Sequence, residues 1–306
     1  MPQPVFSVII PCYECEATLS KAVRSVLAQS FADFEVLLLD DGSRDCTRAV
    51  AEAFAARDPR VRVLSHANRG VAATRNRGIA EARGALIAFL DADDWWEPAK
   101  LDVHLERHEA DPDLDASFAR IAFVPDTPGG RTTLSQVPAG RLSTRHILGE
   151  NPVCTMSNLV VRADCFSVFD GFEETMSHAE DQEWLVRLLA GGGRIAGLNR
   201  LLVHYRTSES GLSSQLSRMH AGWRSFAYAY APQREVRRYE ALYCRYLARR
   251  ALRLPGWAAP ALGYTLRGLA LDAAAFLSDP RRGLATALFS ALAPLMPSRL
   301  RRRIFA

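Results

Sequence analysis

Short, almost continuous apolar runs alternate with amphipathic stretches through the first hundred residues. Runs at 6–10, 35–39, 61–64 and 85–90 read as strands without a polar face. Between them, 17–29, 47–56 and 71–82 repeat apolar residues at helical spacing. Strands that are apolar on both faces need helices covering both sides, so the pattern predicts an α/β protein with a Rossmann-like, mostly parallel sheet. From 111 to 151 the periodicity loosens around Pro125, Pro128 and the Gly129-Gly130 turn signal. A strand at 157–161, a helix at 180–189 and strands at 195–196 and 201–205 follow. Beyond Gln215 every pattern is helical, so we divide the chain into an α/β domain at 1–215 and a helical extension at 216–306.

The 306 residues are 48% hydrophobic and 24% charged, a globular composition. The net charge of +4 conceals an asymmetry. Residues 240–306 hold eleven arginines against Glu240, Asp272 and Asp279, while the rest of the chain has an acidic excess. A basic tail on an acidic body suggests a phosphate-rich surface or an acidic patch as its contact. Nothing resembling a signal peptide precedes the first strand, so a reducing cytoplasm is expected for the six cysteines. Cys12 and Cys15 form a C-x-x-C, but no second pair completes a zinc site.

Polar clusters fall where the apolar runs end: 11–14, 40–43 and 91–94. Ligands of parallel sheets bind at such carboxyl ends. Asp91 and Asp93 are two residues apart and would share a side if strand geometry continued. Two such carboxylates suit a hard divalent cation, magnesium or manganese, carrying a diphosphate; capping of the next helix is the alternative. Asp40-Asp41-Gly42-Ser43 can present a carboxylate to a base edge such as the uracil N3–H. Arg75 sits in a helix of small residues after 71–73 and could reach a diphosphate or a base. Glu180-Asp181 opens a helix, where acidic residues are favoured by the helix dipole; a carboxylate there could also serve as a general base.

Together these segments resemble glycosyltransferase family 2 on a GT-A fold. The resemblance is carried by Ser7-Val8-Ile9-Ile10-Pro11-Cys12-Tyr13, 25–31, Leu39-Asp40-Asp41-Gly42-Ser43, 70–78, Phe89-Leu90-Asp91-Ala92-Asp93-Asp94 and Glu180-Asp181. It covers about residues 5–215. It implies a nucleotide-sugar donor, usually a UDP-sugar, bound by Pro11, Tyr13, Asp41, Arg75, Asp91 and Ala92. It further implies Asp93 as ligand of Mn2+ or Mg2+, and Asp181 as the base of an inverting displacement. Residues 1–110 would then bind the nucleotide and 111–215 the acceptor, a glycan or a lipid-linked sugar. The sequence departs from the pattern at Glu14, where the family commonly has asparagine, at Cys12 and Cys15, and after Tyr205-Arg206, where a frequent histidine is missing.

An alternative of another class is a non-catalytic nucleotide-sugar-binding assembly subunit. A dinucleotide-dependent dehydrogenase is set aside, because no G-x-G-x-x-G follows the first strand. No nucleic-acid partner is expected, and homo-oligomerisation is left open. The stretch at 255–277 is broken by Gly256, Pro260, Arg267 and Asp272, which argues against a spanning helix. The apolar 284–295 segment lies between Arg281-Arg282 and Arg299, Arg301, Arg302 and Arg303. It fits an amphipathic helix on the anionic inner face of the cell membrane, a helix packed on the protein, or one at a dimer interface.

Overall fold

The computed structural model describes residues 3–126, 131–208, 211, 214–254 and 258–296. Its strands are β1 (Phe6–Cys12), β2 (Phe34–Asp40), β3 (Val61–Ser65), β4 (Leu86–Phe89), β5 (Trp95–Trp96), β6 (Ala116–Pro125), β7 (Thr133–Leu134), β8 (Val160–Arg162) and β9 (Ile195–Thr207). Among these residues they form one sheet ordered β3-β2-β1-β4-β8-β6-β9-β5, with β7 on β6. The first four strands run parallel, with Val8 opposite Val36 and Ala88. At β8 the direction reverses: Leu86 pairs antiparallel with Arg162.

Every residue of β2 is buried: its apolar residues face helices on both sides, and Glu35 is accommodated by Ser7 and Arg62. α1 (Leu19–Leu27) buries Leu19, Ala22, Val23 and Val26, the i, i+3, i+4, i+7 stripe of a one-faced helix. Leu19, Val23 and Val26 each contribute about 1.5–3 kcal/mol by leaving water. α2 (Thr47–Ala55) and α3 (Val71–Glu81) follow the next two strands. α3 lies close on β1: a Cβ on Gly78 would come within 2.6 Å of Ile9 Cγ2. Small residues in this helix thus serve helix–strand packing. α4 (Lys100–Ala110), α5 (Thr144–Leu148), α6 (Cys165–Val168) and α7 (Glu180–Ala190) complete the helices before β9.

Three expected boundaries move. β1 runs on through Pro11 and Cys12, which pair with Leu39 and Asp40. The strand expected at 157–161 begins only at Val160, because Met156–Asn158 is a 3-10 turn. There the Asn158 amide imitates a neighbouring strand, accepting from Ala119 N at 2.9 Å and donating to Ala119 O at 2.8 Å. The two short strands expected at 195–196 and 201–205 are one continuous strand of 13 residues.

The chain forms two compact units. One comprises 1–124, 133–142 and 152–206; the other comprises 125–132, 143–151 and 207–306. The second is built on α8 (Leu216–Tyr230), α9 (Gln233–Arg253), α10 (Ala258–Phe276) and α11 (Pro280–Leu292). Trp223 stacks on Tyr243 at 5.3 Å and donates its indole N–H to Leu148 O at 3.0 Å. Glu240, 1% exposed, accepts from Arg267 at 2.7 Å and lies 3.0 Å from His220 Nε2. Burial alone would raise its pKa, but the hydrogen bonds from His220 and Arg267 hold it at about 2. α10 bends at Asp272, whose φ and ψ of −161° and 97° are not helical. Among the described residues no helix is long and apolar enough to cross a membrane.

Candidate active site

The carboxyl ends of β1, β2 and β4 carry the polar clusters. After β1, Tyr13 is 48% exposed, and Glu14 adopts a left-handed backbone with φ of 46°. That region favours asparagine or glycine, a physical reason for the asparagine common at this place in the resembled family. Cys12 and Cys15 are free thiols, Cys12 Sγ donating to Ile10 O at 3.3 Å; their mutual interaction pushes the buried Cys12 thiol up and Cys15 down. Asp40 at the end of β2 secures its own loop, accepting from Ser43 N at 3.1 Å and Ser65 Oγ at 2.8 Å. Asp41 reaches across to the start of α3. Its two oxygens accept from Arg69 N at 2.7 Å and Gly70 N at 2.9 Å, where the helix dipole is positive. Its main-chain N–H meanwhile donates to Cys12 O at 2.9 Å, tying the β1 and β2 ends together.

Past β4 the chain turns instead of continuing as a strand: Asp94 N donates to Asp91 O at 3.0 Å. The turn gives the three aspartates different surroundings. Asp91 is partly buried and accepts from Arg75 Nη2 at 2.8 Å and Thr155 Oγ1 at 3.2 Å. Asp93 is exposed, and Ala92 between them is buried. Asp94 is 1% exposed and is held by Ser157 Oγ at 2.5 Å and Arg206 N at 2.9 Å. Burial pushes its carboxyl well above the usual range, and the charges of Asp91 and Asp93 push it further.

Arg75, on the buried face of α3, extends between two acidic segments. Its Nη2 meets Asp91, and its Nη1 donates to Glu180 Oε1 at 2.9 Å. Burial alone would lower its pKa, but Asp91 and Glu180 outweigh that and raise it. Its Nε is buried without a partner, a donor left over from the two ion pairs. α7 is anchored below by Trp184, which stacks on Phe166 at 4.8 Å and donates to Asp170 O at 2.9 Å. The chain enters α7 through Ala179, whose φ of 65° is left-handed. Asp181 stands one residue past Glu180, and its carboxyl is raised to about 7 by burial and by Glu180, with Arg75 opposing. A carboxyl held near neutrality is suited to taking and releasing a proton.

The structure thus brings Arg75, Asp91 and Glu180 into direct contact and sets Asp181 within their field. Pro11 and Tyr13 lie beside the strand-end loop that Asp41 braces. Glu180, Thr155, Ser157 and Asp94 are the residues whose parts in the site were missed from the sequence. Glu180 could have been found as a second acid beside Asp181. Thr155 and Ser157 carry no signal in the sequence, since their partners lie more than sixty positions away.

The Glycosyl transferase family 2 profile matches residues 7–169. The chain belongs to that family. It is 28% identical over 218 residues to the uncharacterized glycosyltransferase EpsJ of Bacillus subtilis, covering 69% of this chain and 63% of that protein. It is 29% identical over 185 residues to a chondroitin synthase of Escherichia coli, covering 60% and 26%. The chain therefore spans less than two thirds of the length of either relative. Among solved structures, it is similar to S. aureus TarS in complex with UDP-GlcNAc, with a TM-score of 0.62, 19% identity and coverage of 97% and 88%. A mannosyltransferase from Pyrobaculum calidifontis, solved with GDP-Man and Mn2+, gives a TM-score of 0.52 at 17% identity, covering 96% and 76%. The family-2 chain has the GT-A fold expected from its motifs, with a C-terminal helical region.

The residues at the corner fit a divalent cation in one respect. Asp93 offers an exposed hard-oxygen donor close enough to Asp94 for its charge to act on that buried carboxyl. The protein does not supply a full cage: among the described residues no group of three or more His, Cys, Asp or Glu side chains could hold a metal. Remaining ligands would have to come from a diphosphate and water, as is usual for magnesium.

Proposed function

We propose that this protein is an inverting glycosyltransferase that moves a sugar from a UDP-sugar to a hydroxyl of a glycan or lipid-linked acceptor, in surface polysaccharide or glycoconjugate synthesis. The observation that carries the reading is the Arg75 bridge, which sets a carboxyl tuned to about 7, Asp181, into the same cluster as Asp91. The UDP-sugar is taken from the similarity to TarS with UDP-GlcNAc. Pro11, Tyr13 and Asp41 line the nucleoside end, Asp91 and Ala92 the sugar-nucleotide beyond it, with Arg75 near the base or diphosphate. Asp93 would hold Mn2+ or Mg2+, which when bound neutralises the departing diphosphate.

Asp181 takes the proton from the acceptor hydroxyl. The acceptor oxygen then bonds to the anomeric carbon as the bond to the diphosphate oxygen breaks, and UDP leaves on the opposite face. Asp181→Asn should bind the UDP-sugar with unchanged affinity in a thermal-shift titration while transfer is lost. Transfer at the wild-type rate in that variant would remove Asp181 from the role. With a lipid-linked acceptor the enzyme would act peripherally at the inner face of the cell membrane.

A further inference from the structure

α11 is packed the wrong way round for a helix in a water-soluble surface. Its buried positions are Gly283, Thr286 and Ser290, and Thr265 Oγ1 of α10 donates to Ser290 Oγ at 2.9 Å. Its leucines point outward: Leu284, Leu288 and Leu292 are 59%, 57% and 41% exposed, and Leu295, in the 3-10 turn that follows, is 83% exposed. The i, i+4, i+8 spacing of the three helical leucines places them on one face over about two turns. Leu266 of the adjoining α10 is also 59% exposed. Isolated exposed leucines are ordinary on protein surfaces, but a continuous stripe marks a contact surface.

We propose that this leucine face of α11 docks on an anionic lipid bilayer, with the leucines in the acyl boundary and Arg281 among the headgroup phosphates. Charge selects this occupant. Arg281 is exposed on the same face, one turn before Leu284, and no acidic residue occurs between Arg282 and the end of the chain. After Leu295 the sequence, outside the described residues, supplies Arg299, Arg301, Arg302 and Arg303. Both ends of the stripe are basic. A second copy of the chain would bring like charges together, whereas acidic headgroups neutralise them. The helix lies in the interface and does not span: thirteen residues reach about 20 Å, short of a hydrocarbon core of about 30 Å. This surface gives the peripheral attachment proposed above its residues, and it stands independently of the sugar chemistry.

The test is co-sedimentation of the full chain with vesicles of phosphatidylcholine alone or of equal parts phosphatidylcholine and phosphatidylglycerol. Binding is expected only with phosphatidylglycerol, weakening as salt rises. The Leu284→Glu/Leu288→Glu variant should bind at least about tenfold more weakly, since it removes two apolar side chains from the buried face and adds two charges repelled by the headgroups. Its UDP-sugar thermal shift without vesicles should match wild type, which separates loss of docking from loss of the donor site or of folding. The proposal is overturned if wild type ignores both vesicles or binds them equally, or if the double variant binds like wild type. It is equally overturned if light scattering finds a dimer that the double substitution dissolves.

Discussion

Arg75 joins the two acidic segments of the site: one guanidinium nitrogen is 2.8 Å from Asp91 Oδ1 and another 2.9 Å from Glu180 Oε1. Asp91 and Glu180 are 89 positions apart, and neither carboxylate could be buried near the other without the cation between them. Arg75→Met should therefore destabilise the protein by about 3–5 kcal/mol, the usual result of removing one member of a buried ion pair. Urea denaturation measures this. An effect below about 1 kcal/mol would mean that the carboxylates separate freely, so that the bridge holds nothing in place.

Transfer should follow the protonation of Asp181. As the proposed base Asp181 would work deprotonated, so the rate is expected to rise with pH through about 7, where burial and Glu180 hold its carboxyl. Glu180→Gln removes a raising charge and should move that midpoint to lower pH. Asp181→Asn should abolish the pH-dependent component altogether. A flat profile in wild type between pH 6 and 8, estimated as roughly one unit either side of that midpoint, would contradict the assignment.

Stability has its own pH dependence, set in the core. Lys100 Nζ is buried 3.1 Å from His104 Nε2 and 3.2 Å from Asn158 O, with no carboxylate partner among the described residues. Burial lowers its pKa from 10.5 to about 7. Between those values the unfolded chain binds a proton that the folded one does not, so stability rises with pH across that window. Relative to Lys100→Met, wild type should gain up to about 1.4 kcal/mol per pH unit from pH 7 upward, read from paired denaturation curves. A constant difference between the two proteins would show that Lys100 stays protonated in the fold.

Glu14 pays a conformational cost in the loop after β1. Its φ of 46° is unfavourable for glutamate and tolerated by asparagine. Its side chain is exposed, and the N–H bond to Ser43 Oγ at 3.1 Å does not depend on it. Glu14→Asn should raise stability by about 0.5–1 kcal/mol, seen as a higher melting temperature. A fall would mean that the Glu14 side chain makes a contribution its exposure conceals.

The unbroken apolar runs announced the parallel strands, because a strand buried on both faces has no polar positions to spare. The candidate site was legible in position, where chemistry and chain direction coincide: Asp41, Asp91 and Asp93 all follow strand ends. Roles within the acidic cluster were not legible. The reading from spacing set Asp91 and Asp93 on one side of a continuing strand, but the turn from Asp91 O to Asp94 N separates them. Asp94, indistinguishable by type from its neighbours, is buried under Ser157. The strand at 157–161 failed for a related reason, since Asn158 spends its amide on Ala119.

By itself the sequence determined the α/β layering, the order of the strand-end motifs and the helical, basic character of the last ninety residues, all consequences of local periodicity and composition. Tertiary structure alone decided that Arg75 spans Asp91 and Glu180, that Asp181 is tuned by them, and that α11 buries its hydroxyls and exposes its leucines. Periodicity tells which residues share a face of an element, but not which partner that face meets. Contacts between residues far apart in the chain depend on how elements pack, and that is where burial and charge set the chemistry.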